Sequence, residues 1–219
     1  MLTRSPTTSI HTYMKNIPLR LLAVVLLACL ATPRLIHAAD DPGTNHWESL
    51  FNGKDLSGWV PMHDVTFVVT NGNLRLVTGM GWLRTQKQYG DFVLEAEWRA
   101  LVSEYDSGFF IRAGLEGNPW PKDGWQVNLN RSALGALVRG YKTVVPAETP
   151  PMPLNQWVKF RMEVRGRKIT LDVDGERAWE FNDLDAERGY IGIQAEGKAF
   201  DFRNLRIQEV PRSEKPARH

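Results

Sequence analysis

Cysteine occurs once in the 219 residues, at Cys29, which excludes a disulfide scaffold and a thiolate zinc site. Histidine is nearly as scarce. Between the amino-terminal leader and the tail only His46 and His63 remain, both near turn residues and without metal-ligand spacing. Charge of one sign is missing too: 27 Lys and Arg stand against 25 Asp and Glu. Four of the basic residues, Arg4, Lys15, Arg20 and Arg34, lie in the first 39 residues, where there is no acid, leaving 23 basic against 25 acidic residues in the remainder. Such a balance gives no electrostatic case for nucleic acid or an anionic membrane. No apolar run reaches the ~20 residues that a bilayer-spanning helix needs. With 42% apolar and 10% aromatic residues, the chain is still rich enough for a large single core.

Residues 1–39 read as an export signal. Arg4, Lys15 and Arg20 precede the apolar run Leu21 to Ala31, and Ala38 and Ala39 follow before Asp40 begins a polar stretch. Cleavage after Ala38 or Ala39 is expected, with delivery to a periplasmic or extracellular space. Leu26-Leu27-Ala28-Cys29 also resembles a lipoprotein box, in which Cys29 would carry the lipid. A domain is expected over 40–210 and a loose tail over 211–219.

Between Trp47 and Val210 apolar residues alternate with period two, interrupted by Gly, Asn, Asp and Pro, the pattern of short strands. Asn71-Gly72 and Asp174-Gly175 each sit between two such runs, as the turn of a hairpin. Phe200 and Phe202 share one phase and Leu205 and Ile207 the other, which predicts a bulge at Arg203-Asn204. About a dozen strands without helices imply an all-β fold, two antiparallel sheets packed face to face as a jelly-roll sandwich.

Some strands carry a second face that is polar, varied and flanked by aromatics. Glu97 alternates with Ala96 and Trp98; Arg112 is in phase with Phe110 and Gly108; Gln126 and Asn128 alternate with Trp125 and Val127; Gln194 and Glu196 alternate with Ile193 and Ala195. If these strands are neighbours, Glu97, Arg112, Gln126, Asn128, Gln194 and Glu196 share one surface. Amides and carboxylates there would bind sugar hydroxyls, with Trp82, Trp120, Trp125 and Tyr141 at the rim as platforms. Plainer roles exist for each: Arg112 could pair with Glu97 across strands, the amides could be solvated, and Trp125 could belong to the core. Asn130-Arg131-Ser132 matches a glycosylation sequon. A retaining-glucanase signature fails, because Phe109 stands where Glu104-Tyr105-Asp106 would need a second Glu. Neither Gly-x-Ser-x-Gly nor His-Glu-x-x-His is present.

The run Leu50-Phe-Asn-Gly-Lys-Asp-Leu-Ser-Gly-Trp59 resembles the opening signature of the 3-keto-disaccharide hydrolase family. Tyr89 to Arg99, Asp106 to Arg112, Gly124 to Leu129, Asn155 to Trp157, Gly189 to Gly197 and Phe202 to Ile207 follow it in the family's order. The resemblance implies a concanavalin A-like fold, export, and action on sugars oxidised at C3. It falls on Glu97, Arg112, Gln126, Asn128 and Gln194, and departs at Ala195-Glu196, where many relatives have Asp-His. A C3 ketone acidifies the C2 proton, so a modest base can form an enolate that expels the anomeric substituent. In that scheme Glu196 is the expected base, Arg112 the enolate's partner, and Glu97 the acid or the residue orienting Arg112. A divalent cation, calcium or similar, could replace Arg112, and it would rest on oxygen ligands such as Asp106, Glu97 and Glu196. The expected partner is a 3-keto-glycoside. A sugar-binding module without catalysis is the alternative, and a structural domain of a surface assembly a third.

Overall fold

The computed structural model describes residues 46–147 and 149–211. The leader, Cys29 and residues 212–219 of the tail lie outside the described residues. Among the described residues there is no helix, and thirteen strands follow one another. The first five are β1 (Glu48–Ser49), β2 (Trp59–Thr70), β3 (Asn73–Tyr89), β4 (Phe92–Ala100) and β5 (Gly108–Ala113). Next come β6 (Trp125–Asn128), β7 (Leu137–Arg139), β8 (Lys142–Val145) and β9 (Val158–Arg165). The last are β10 (Lys168–Val173), β11 (Glu176–Phe181), β12 (Gly189–Glu196) and β13 (Phe200–Glu209). All pairings are antiparallel, in the order β11-β10-β9-β4-β13-β3-β12-β5-β6-β7-β8, with β2 on β3 and β1 on β13.

The path is folded over on itself. Five strand steps separate β5 from β9, roughly 24 Å in a flat sheet, yet the rings of Phe109 and Phe160 lie 6.5 Å apart. Eight steps separate β6 from β11, roughly 38 Å if flat, yet Trp125 and Phe181 are 5.4 Å apart. The two halves thus close on one core, filled by alternate residues such as Leu94, Ala96 and Trp98 of β4, Phe160 and Met162 of β9, and Ile191, Ile193 and Ala195 of β12. This closure is consistent with a jelly-roll sandwich, although β3 and β13 join both halves in one hydrogen-bonded path.

The turns follow the residues that permit them. Asn71 and Gly72, with φ of 52° and 73°, reverse the chain from β2 to β3, and Asp174 and Gly175 (49° and 92°) do so from β10 to β11. The bulge expected near Arg203-Asn204 is present: the β13–β4 register shifts between Arg203 and Arg206, with Asn204 at φ 51°. A second bulge was not expected. Tyr190 pairs with Ala113 and Gly192 with Phe110, so Ile111 and Arg112 together oppose Ile191, and Arg112 takes φ 48°.

Candidate functional site

The outward face of β12, β5 and β6 is a lattice of cross-strand rows. Gln194 pairs with Trp82 of β3, and Gly108 with Asn128. Gly192 pairs with Phe110, and Phe110 with Gln126. Backbone bonds from Leu129 to Ser107 and from Arg131 to Tyr105 carry the β5–β6 pairing two residues further, which brings Asp106 opposite Asn130. Continuing the Ile193–Phe109 register by three residues brings Glu196 opposite Asp106. The third row is therefore Glu196, Asp106, Asn130.

Hydrogen bonds tie the rows together. Gln126 Nε2 donates to Gln194 Oε1 at 2.5 Å, and Gln194 Nε2 donates to Glu196 Oε2 at 3.0 Å. Ser107 Oγ holds the Gln194 carbonyl at 2.7 Å. The first link depends on Gly108: a Cβ there would overlap the Gln126 side chain, which crosses that position to reach Gln194. Asn130 Nδ2 donates to Asp106 Oδ2 at 2.6 Å, and Asn130 N donates to Asn128 Oδ1 at 3.2 Å. Burial, the nearby Asp106 charge and only partial relief from Lys198 raise the proton affinity of Glu196 above that of an ordinary glutamate. Burial likewise raises Asp106, against the Asn130 hydrogen bond and the Lys198 charge. A cavity of about 350 Å³ opens beside this row, lined by Asp106, Asn130, Lys198, Arg131, Ser132 and Glu104 among others.

Of the residues expected at the site, Gln126, Asn128, Gln194 and Glu196 share this face, while Arg112 and Glu97 do not. Arg112 lies six residues along the chain from Asp106, about 20 Å at strand rise, and the unexpected bulge takes it out of phase with Phe110. Its guanidinium is buried, donating to the carbonyls of Gly90, Gly166 and Ala186 and to Asp91. The expectation that it stabilises an enolate is therefore corrected: it ties chain reversals together. Glu97 sits on the other outward face, where Arg203 and Asn204 each donate to it at 2.7 Å. Despite some burial, those bonds and the neighbouring cations lower its proton affinity, the opposite of what a general acid requires. It lines a separate depression of about 320 Å³ with Trp47, Glu95 and Arg206. With Glu97 there, the expected cation set of Asp106, Glu97 and Glu196 does not assemble; among the described residues no three Asp, Glu, His or Cys cluster.

The aromatic rim also differs from expectation. Trp125 packs into the core against Phe181, with its indole N–H on Asp185. Trp82 is on the site face but buried, clustered with Phe110 and packed by Trp120, over Gly192, where a Cβ would strike the indole. Both correct the same assumption, that large aromatics flanking polar strands stand open to solvent. Trp120 crosses the face to donate from Nε1 to the Ala195 carbonyl at 3.1 Å, and Tyr141, 66% exposed, packs 6.1 Å from it. This aromatic pair stays accessible beside the polar face. Lys198 carries no sequence signal of a site, and Asp106 and Asn130 carry only those of a cation ligand and a glycosylation sequon. The available signal is period two itself: Asn130 and Lys198 stand two residues beyond the site positions Asn128 and Glu196, and Asp106 two residues before Gly108, which the alternation puts in the same phase as Phe110.

Residues 46–208 match the family model of the 3-keto-alpha-glucoside-1,2-lyase-like domain. No curated protein is significantly similar to the chain. Among solved structures, a candidate glycosyl hydrolase from Parabacteroides distasonis superposes with a TM-score of 0.62 at 20% identity, covering 75% of this chain and 94% of that one. The carbohydrate-binding module CBM66 from Bacillus subtilis gives 0.59 at 14% identity, with 69% and 96% covered. A galectin-like protein of unknown function from the same organism gives 0.62 at 11% identity, with 78% and 98% covered. At these identities the likeness is one of fold.

Proposed function

The chain belongs to the 3-keto-alpha-glucoside-1,2-lyase-like family, and on that premise we propose that it is an exported enzyme that cleaves 3-keto-glycosides, built as a concanavalin A-like two-sheet jelly roll. Glu196 is the base that removes the C2 proton. One observation carries this reading: the Glu196 carboxylate is half-buried, raised in proton affinity and held by Gln194 at the mouth of the polar face. A carboxylate so placed is a stronger base than a solvated one, and the C3 carbonyl makes the C2 proton acidic enough for it. Lys198, whose charge reaches both Glu196 and Asp106, is the cation placed to offset the enolate in place of Arg112. Gln126 and Asn128 supply amides, and Trp120 with Tyr141 an aromatic surface for the sugar ring.

Purified protein incubated with 3-keto-trehalose is expected to release glucose, and with trehalose itself to release none. Glu196→Gln should slow release by about 10²–10⁴-fold, the usual contribution of a general base. Binding of the keto-sugar with no release from any keto-glycoside would favour the other reading, a non-catalytic module. That reading is supported by the closed hydrogen-bond chain of Gln126 and Gln194, which suits recognition as well as chemistry. Export rests on residues 1–39, and fractionation of cells producing the full chain tests it.

A further inference from the structure

Expulsion of the anomeric group leaves an alkoxide that needs a proton, and Glu97, on the opposite face, cannot supply it. We infer that Asp106 is the acid that protonates the departing oxygen, working with Glu196 as a cross-strand pair that holds one transferable proton. The inference rests on the reading of Glu196 as base.

The geometry is matched on the two strands. Each carboxylate has one oxygen occupied by a neighbouring carboxamide: Gln194 on Glu196 Oε2 at 3.0 Å, and Asn130 on Asp106 Oδ2 at 2.6 Å. Gln126 fixes the sense of the first, because its donation to Gln194 Oε1 leaves the Gln194 NH₂ to face Glu196. An oxygen that already accepts an N–H is the poorer proton acceptor. Proton exchange therefore falls to Oε1 and Oδ1, for which no protein donor is found among the described residues. The groups facing the pair are Lys198, whose charge reaches both, and Glu104 and Arg131 on the same cavity wall, themselves 3.6 Å apart as an ion pair. Two like charges on adjoining positions resist joint ionisation, and Lys198 offsets one of them. Burial displaces both carboxyls upward, and the Asp106 charge adds to the rise at Glu196.

The proton ledger closes. The C2 proton passes to Glu196 Oε1, and its electron pair forms the C2–C3 enolate with charge on O3. As C3=O re-forms, that pair moves to make C1=C2, and the C1–O bond breaks with its electrons on the leaving oxygen. That oxygen takes the proton from Asp106. Products are an alcohol and a 1,2-unsaturated 3-keto sugar. The reactive tautomer of the singly protonated pair has Glu196 as carboxylate and Asp106 as acid. Cleavage leaves the proton on Glu196, the partner that the Asp106 charge favours as its holder, and transfer of that one proton back to Asp106 restores the reactive form.

Leaving-group dependence separates an acid from a base. Asp106→Asn should slow cleavage of 3-keto-trehalose by about 10²–10⁴-fold, but slow p-nitrophenyl 3-keto-α-glucoside only a few-fold, because nitrophenolate departs without a proton. Glu196→Gln should slow both. Asp106→Asn slowing both substrates equally, or neither, would overturn the inference. Glu196→Gln affecting neither would instead remove the base on which it rests, a different pattern. A second measurement needs no variant: the native enzyme's kcat/KM should fall at alkaline pH for the disaccharide, as the pair loses its one shared proton, and not for the aryl substrate. Identical profiles would also overturn it.

Discussion

Arg112 Nη2 donates to Asp91 Oδ1 at 2.7 Å, both side chains almost wholly buried, and the same guanidinium closes on three backbone carbonyls from separate chain reversals. An arginine so enclosed acts on the fold and not on substrate. Arg112→Ala leaves Asp91 buried without its cation, and is expected to lower the unfolding free energy by about 3–5 kcal/mol. Urea denaturation reads this directly. Activity per folded molecule should be unchanged in native buffer, and a selective loss of kcat would return Arg112 to the chemistry.

Gly108 offers a finer probe of the site. Gly108→Ala places a methyl group in the path of Gln126, so the Gln126–Gln194–Glu196 chain must shift or break. Overpacking of this kind costs about 1–3 kcal/mol. Turnover should fall by more than the lost folded fraction explains, shown by comparing kcat with a thermal melt of the same sample.

The pH dependence of stability has two opposed sources. Asp201 is buried, yet hydrogen bonds and charge from Arg75 and Arg99 outweigh that burial and lower its proton affinity. A depressed carboxyl stabilises the fold above its unfolded value of about 3.9, and that contribution fades as pH falls through the folded value. Asp201→Asn should cost about 1.5–3 kcal/mol at pH 7, with the gap to the native protein narrowing below about pH 4. Chemical denaturation at pH 7 and pH 3 tests it.

Glu196 has the reverse sign. A carboxyl raised on folding destabilises the native state above its unfolded value, and the penalty disappears as pH falls and the group protonates in both states. Glu196→Gln is therefore expected to melt higher than the native protein at pH 7 while losing turnover, and to melt level with it near pH 3. Each kcal/mol recovered corresponds to about 2–4 °C in a domain of this size. An equal or lower melting temperature at pH 7 would contradict the burial of that charge.

Tyr141 is tested through affinity. Removing its ring by Tyr141→Ala should raise KM about 2–10-fold, equivalent to roughly 0.5–1.5 kcal/mol of aromatic contact, while kcat holds. An unchanged KM for a keto-disaccharide would take it out of the sugar's reach.

Local chemistry made part of this molecule readable from its residues. Asn71-Gly72 and Asp174-Gly175 turn where such pairs turn, and the switch of phase between Phe202 and Leu205 marks the β13 bulge. Alternation also placed Gln126, Asn128, Gln194 and Glu196 on one face, because the stretches that carry them, Trp125–Asn128 and Gly192–Glu196, pair without a register shift. Arg112 escaped because a bulge adds one residue without a Gly or Asn to announce it, and one residue reverses the phase. Glu97 escaped for a different reason: period two says that a side chain points out, not which half of a folded-over path it points out from. Trp82 is buried because a segment distant in sequence, carrying Trp120, packs against its cluster, which alternation along β3 does not reveal. Asp106, Asn130 and Lys198 fall just beyond strand ends, where alternation is no longer counted although pairing continues.

The ring contacts that close the two halves join partners far apart along the chain: Phe109 meets Phe160 and Phe202, and Trp125 meets Phe181. No hairpin can bury its rings alone, so long loops must close before the apolar surface is withdrawn from water. Folding is then governed by non-local encounters, with relaxation expected on the millisecond-to-second scale of all-β domains. β8 and β11 each keep one unpaired edge at the ends of the strand path, and before the halves meet the half-formed chain adds uncovered apolar surface to those edges, when it is most exposed to sticking to its own kind.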